Sequence, residues 1–187
     1  MKTSGAIYTV RECADAIISA LAKSPPTAER LTEALATPVC KLMARPDLLA
    51  VGIPREGNNV AFSQYLYFDG QLSILLYQVP KGKVIPPHDH GIWESLFVYR
   101  GRLKHTVYER ADDGSVPGYA ELKIIGDRTL ERGDGVVVAP PADIHSFTAL
   151  SDETYGITVL NGAYKPDRHY YQPDENTYLV KGQKNAR

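Results

Sequence analysis

The chain has 187 residues, 43% of them apolar, with 21 basic and 22 acidic side chains and a net charge of −1. That length supports one domain with a sizeable core, and so even a charge balance argues against an electrostatic nucleic-acid surface. No apolar run is long enough to span a bilayer, the first residues lack a signal-peptide pattern, and Cys13 and Cys40 make no disulfide framework, so a cytoplasmic protein with free thiols and no nucleic-acid or membrane partner is expected.

Residues 1–50 read as helical. Thr9-Val10-Arg11-Glu12 has the form of a capping box, with Ala14, Ile17, Ile18 and Leu21 recurring at helical spacing behind it. Ser24-Pro25-Pro26 ends that helix and opens another, to which Leu31, Leu35, Val39, Leu42 and Met43 supply an apolar face. Arg45-Pro46 disfavours further helix. From about residue 60 the period changes to that of strands. Tyr65 to Val79 reads as a hairpin turning at Asp69-Gly70. Short apolar runs follow at 95–101, 103–110, 120–126, 135–140, 146–150 and 154–161, separated by turn signals such as Asp112-Asp113-Gly114 and Gly133-Asp134-Gly135. Many short strands indicate a sandwich or barrel. The expected organisation is an N-terminal helical extension, 1–55, packed on a barrel with a C-terminal tail, 56–187. The tail from Tyr164 is rich in aromatic and polar residues without clean periodicity, and its tyrosines read as packing of the tail over the barrel.

The chemically informative residues lie between Gly82 and Glu94. Alternation along a strand puts His88 and His90 on one face. If the strand ending near His145 lies beside it, a third imidazole completes a metal-binding face. Three neutral imidazoles suit iron, and also nickel, manganese, copper or zinc. Asp89 falls on the opposite strand face and is not counted as a ligand. Trp93, Phe97, Tyr65 and Phe147 are candidates for an apolar pocket wall, with Trp93 read as core first. His105 and His169 read as structural.

Gly82, His88, His90, Glu94 and Gly101 fill every fixed position of the pattern G-x5-H-x-H-x3–4-E-x6-G, and Gly133, Pro140 and His145 follow a second, looser pattern. In these motifs the chain resembles the cupin superfamily. That resemblance implies an all-β fold, the double-stranded β-helix or jelly-roll barrel, and adds Glu94 to the metal ligands His88, His90 and His145. Within the superfamily the segments FSQYLYFDG, PPHDHGIW and ADIH and the tail from Asn161 are similar to the thiol dioxygenases, the cysteine and 3-mercaptopropionate dioxygenase group. Three features depart from that group. Glu94 stands where its members carry glycine or cysteine. Ile157, Val159 and Asn161 occupy the positions of its Ser-His-Tyr triad, and the arginine that precedes its barrel motif has no counterpart among Ala61, Phe62 and Gln64. The triad's absence points away from a thiol.

The resemblance thus implies an Fe(II) dioxygenase acting on a small organic molecule, either a thiol or an enolisable or hydroxyketone compound, with dioxygen as co-substrate. Glu94 is then a fourth ligand or a base, and Arg168 in the tail is the candidate anchor for a substrate carboxylate. Two alternatives stay open: an oxygen-independent metal-dependent isomerase, lyase or hydrolase, and a non-catalytic small-molecule binder. By the same resemblance the protein is expected to form a homo-oligomer.

Overall fold

The computed structural model describes residues 7–22, 27–55 and 60–180. Helix α1 (Val10–Leu21) begins where the capping box predicts: the Glu12 amide donates to Thr9 Oγ1 at 3.1 Å, and the Thr9 amide donates to Glu12 Oε2 at 2.7 Å. A cap of this kind contributes about 1 kcal/mol. The helix buries Cys13, Ala14 and Ile17, whereas Ile18 is 39% exposed, so the apolar face is narrower than its spacing suggests. The Ser24-Pro25-Pro26 break lies outside the described residues. Helix α2 (Ala28–Met43) is capped by Thr27 and buries Leu31, Leu35, Val39, Leu42 and Met43. It carries Pro38 in its interior, which removes one N–H from the ladder.

The strands follow in chain order: β1 (Ile53–Pro54), β2 (Phe62–Phe68), β3 (Leu72–Val79), β4 (Val84–His88), β5 (Glu94–Arg100), β6 (Arg102–Arg110), β7 (Leu122–Glu131), β8 (Gly135–Val138), β9 (Ile144–Ala149), β10 (Thr154–Asn161), β11 (His169–Gln172) and β12 (Thr177–Val180). They form two antiparallel six-stranded sheets, ordered β1-β2-β3-β10-β5-β8 and β12-β11-β4-β9-β6-β7. This is a jelly-roll sandwich with a helical N-terminal extension. The β2–β3 hairpin turns where Asp69-Gly70 predicts. Asp69 Oδ1 accepts from the amides of Gln71 and Leu72, both at 2.8 Å, and Gly70 takes a φ of +90°. Gly101, between β5 and β6, has a φ of +77°, and an added Cβ would sit 2.6 Å from the Glu153 carbonyl oxygen. The motif glycine is therefore needed on both steric and conformational grounds. The tail is not irregular: β11 and β12 extend the second sheet, and Tyr170 pairs with His88.

Strand alternation divides the apolar residues into two cores. Leu72, Ile74, Leu76, Phe97, Tyr99, Ile157 and Val159 pack with Trp93 against the buried faces of α1 and α2. Val79, Ile85, Leu96, Val98, Leu103, Leu130 and Phe147 fill the barrel interior. No helix among the described residues is long and apolar enough to cross a membrane.

Candidate metal centre

β4 and β9 are neighbours, and their register sets His88 directly opposite His145. The side-chain ligand atoms of His88, His90 and His145 all lie within 4.8 Å of one another, and the three residues are buried. The route to this cluster differs from the one strand alternation suggests. β4 ends at His88, so His90 is not on a strand at all. It sits in a short loop whose shape is fixed from outside: the amides of His90 and Gly91 both donate to the buried carboxylate of Asp143, at 3.0 and 2.7 Å. Asp143 lies two residues before His145, so the second histidine segment clamps the first. Asp143 is absent from the sequence-based candidates, although Asp-x-His before a strand was a readable signal.

Each imidazole presents a defined nitrogen. His88 Nδ1 lies 2.8 Å from the Pro86 carbonyl oxygen, which fixes the proton there and leaves Nε2 as a lone-pair donor. His145 Nδ1 lies 2.9 Å from His105 Nε2, and His145 Nε2 lies 2.9 Å from His90 Nε2. His105, read from sequence as structural, is thus a buried partner of the site. Burial, together with neighbouring His90, pushes the His88 pKa down to about 3. Burial and the other histidines hold His145 well below its ordinary value. Both are neutral at ordinary pH, the state a metal ligand requires.

Glu94 opens β5 and faces the same cluster. Its Oε2 lies 2.8 Å from His90 Nε2 but has no well-aligned hydrogen bond among the described residues. Its Oε1 is engaged, accepting from the Tyr164 hydroxyl at 3.1 Å and from Thr158 Oγ1 at 3.4 Å. Burial alone would raise this carboxyl, but His90 beside it and the Tyr164 hydrogen bond hold it below its ordinary value. Separations of 2.8 and 2.9 Å between would-be donor atoms suit a shared cation. With bonds of roughly 2.0–2.2 Å, two ligands at right angles sit about 3 Å apart. An unsatisfied carboxylate oxygen, the neutral imidazoles of His88 and His145 and this spacing together fit a bound divalent metal.

His88, His90 and Glu94 form one wall of a cavity of about 90 Å³. Of the four aromatic candidates only Phe147 is among its lining residues; Trp93 and Phe97 belong to the helix-facing core, and Tyr65 packs on Phe68. On β10, Ile157 and Val159 also face the helices, and it is Thr158 that reaches the cavity. The tail supplies the opposite wall. Tyr170 stacks on His88 (5.6 Å between centroids, 13° between planes), and Tyr164 lies 5.2 Å from His90. Arg168 is 8% exposed and lines the cavity, with its guanidinium 4.5 Å from the Tyr164 ring centre and 5.9 Å from that of Tyr170. Its Nε has no hydrogen-bond partner among the described residues. Arg55 also reaches the cavity, 5.3 Å from the Tyr164 ring centre, and escaped the sequence reading. Asp89, pointing away from the cluster, fastens the tail: it lies 2.6 Å from His169 Nδ1 and accepts from the His169 amide and the Tyr171 hydroxyl, each at 2.9 Å.

No protein-family model matches the chain, and no curated protein does. Among solved structures, the chain is similar to KdgF from Halomonas sp., at 18% identity and a TM-score of 0.45, over 59% of this chain and 87% of that one. It is similar to the hydroquinone 1,2-dioxygenase PnpCD at 11% identity and a TM-score of 0.42, over 53% of this chain and 63% of that one. A Bacillus subtilis oxalate decarboxylase, OxdC, matches at 16% identity and a TM-score of 0.44, over 63% of this chain and 29% of that one. These are loose likenesses, and what the site can do rests on its own geometry.

Proposed function

We propose that the protein is a mononuclear non-haem iron dioxygenase acting on a small carboxylate-bearing substrate. His88, His90 and His145 hold the metal through their inward nitrogens, and Glu94 Oε2 is the fourth ligand. The observation that carries this reading is the meeting of His88, His90 and Glu94 with Arg168, whose buried Nε has no partner among the described residues, in one cavity, with His145 completing the histidine cluster. When bound, the metal supplies a Lewis-acidic centre that favours the ionised form of a coordinating substrate group and brings dioxygen beside it. Arg168, held by Tyr164 and Tyr170, binds the substrate carboxylate and sets its orientation. Tyr164 remains a phenol, because burial and the adjacent Glu94 push its pKa well up, and it keeps the Glu94 carboxylate oriented. Ile85 and Phe147 supply apolar lining to the cavity.

The test is anaerobic loading with Fe(II), followed by oxygen-uptake measurements with hydroxy acids, enolisable keto acids and thiol acids. Substrate-dependent oxygen uptake is expected, and Glu94→Gln should keep most of the metal while changing turnover sharply. Turnover under nitrogen with zinc or manganese, and no oxygen uptake with iron, would replace this reading by the oxygen-independent one.

A further inference from the structure

Among the described residues, two cavity-lining side chains hold buried polar atoms that have no hydrogen-bond partner and are not part of the metal cluster: Arg168 Nε and the Tyr77 hydroxyl. The proposed function uses the first and leaves the second unexplained. Tyr77 lies on β3, with its ring 6.2 Å from Phe147 across the barrel. Its neighbour in the sheet is Gly156, and a Cβ at that position would collide with the phenol. The glycine therefore makes room for the ring to lie where it does. Thr158, whose hydroxyl is beside the phenol, turns its own proton to Glu94 Oε1, which Tyr164 also engages, and neither Thr158 nor either oxygen of Glu94 gives the phenol a well-aligned acceptor. Burial raises the Tyr77 pKa, so the group is a standing donor. A buried donor without an acceptor is costly, and a ligand is the natural source of the missing acceptor.

We infer that Tyr77 reads an oxygen of the substrate, and that the substrate is a small hydroxy- or oxo-carboxylic acid. Its carboxylate lies on Arg168, and its hydroxyl or carbonyl oxygen accepts from Tyr77 at the metal-facing end of the cavity. This rests on the reading of Arg168 as the carboxylate anchor. The cavity volume of about 90 Å³, at roughly 10–15 Å³ for each water-sized position, corresponds to a molecule of about six to nine non-hydrogen atoms. Sulfur is a weak acceptor, so a mercapto acid of the same shape satisfies Arg168 and leaves Tyr77 unmet. Sites built to hydrogen-bond an oxygen discriminate strongly against analogues that lack it.

The experiment is calorimetry under nitrogen on the zinc-loaded protein, with lactate and 2-mercaptopropionate as matched probes. Tyr77→Phe, which keeps the ring over Gly156, should weaken lactate binding about tenfold and leave 2-mercaptopropionate within about twofold. Taking the ratio between variants cancels the preference of zinc for sulfur. Arg168→Met should weaken both acids alike. Equal weakening of both probes by Tyr77→Phe, an unchanged affinity for lactate, or failure of the wild type to bind lactate would each overturn the inference. A second measurement needs no variant: metal-free wild-type protein should bind lactate more tightly than propionate, and equal affinities would also overturn it. Oxygen plays no part in these measurements. Absence of oxygen uptake would remove the dioxygenase reading and leave the selectivity of Tyr77 standing, whereas equal responses to the two acids would remove only the role of Tyr77.

Discussion

On β5, Phe97 and Tyr99 pack toward the helices, whereas Glu94, Leu96 and Val98 face into the barrel. The same contrast runs along β10, where Ile157 and Val159 join the helix-facing core and Thr158 meets the cavity. The outer face is apolar apart from Ser95, whose hydroxyl donates to the Val159 carbonyl, and it is covered by α1 and α2. The inner face mixes apolar residues with a carboxylate, hydroxyls and imidazoles, and most of these are hydrogen-bonded to one another. A pleated strand lets one sequence serve both faces, because successive side chains point opposite ways. A slip of one residue would exchange them, burying Glu94 under the helices. The apolar outer face thus pins the register that places the polar inner one.

Substitutions on the two faces should therefore separate stability from metal binding. The largest effect is expected inside. His145→Ala should abolish stoichiometric metal binding while leaving the helix-facing core intact, as read by metal analysis and far-UV circular dichroism; retention of a full equivalent would show that a different third ligand is in use. Acid should also act on the inner face. The ordinary histidine pKa is 6.5, but burial holds His88 near 3 and His105 near 4, and His145 also lies well below it. Below pH 6.5 the unfolded chain takes up protons that these three refuse in the folded state, so stability must fall with pH. Each histidine contributes up to about 1.4 kcal/mol per pH unit, or about 4 kcal/mol per unit for all three. Urea titrations of the metal-free protein at pH 7 and pH 5 measure this, and matching midpoints would sink it. On the outer face, Ile157→Ala should cost about 2–5 kcal/mol of stability with little change in metal affinity. A large loss of affinity there would mean that the two faces are not independent.

The readable parts of the site were the local ones. The HxH spacing and the motif frame brought out His88, His90 and His145 without knowledge of the fold, since imidazoles two residues apart are conspicuous. Strand alternation nonetheless does not account for His90: β4 ends at His88, and the Asp143 carboxylate positions the loop that carries His90. Tyr77 and Thr158 were invisible because their meaning depends on the pairing of β3 with β10, between residues far apart in the chain. The tail strands were missed because each is only four residues long and neither alternates apolar with polar residues, so only their pairing with each other and with β4 reveals them. The capping box and the Asp69-Gly70 turn were legible because their hydrogen bonds close within a few residues.

The clamp from Asp89 to the tail has a consequence for the order in which the site can be assembled. Every metal ligand precedes residue 146, while Tyr164, Arg168 and Tyr170, which make the opposite wall, come later in the chain. A growing chain therefore completes its histidine cluster before the tail side of the cavity. The carboxylate that receives the wall is already in place between two of those donors. The aspartate works as a latch: docking of His169 and Tyr171 upon it holds the tail beside the histidine cluster and gives the open face its second side.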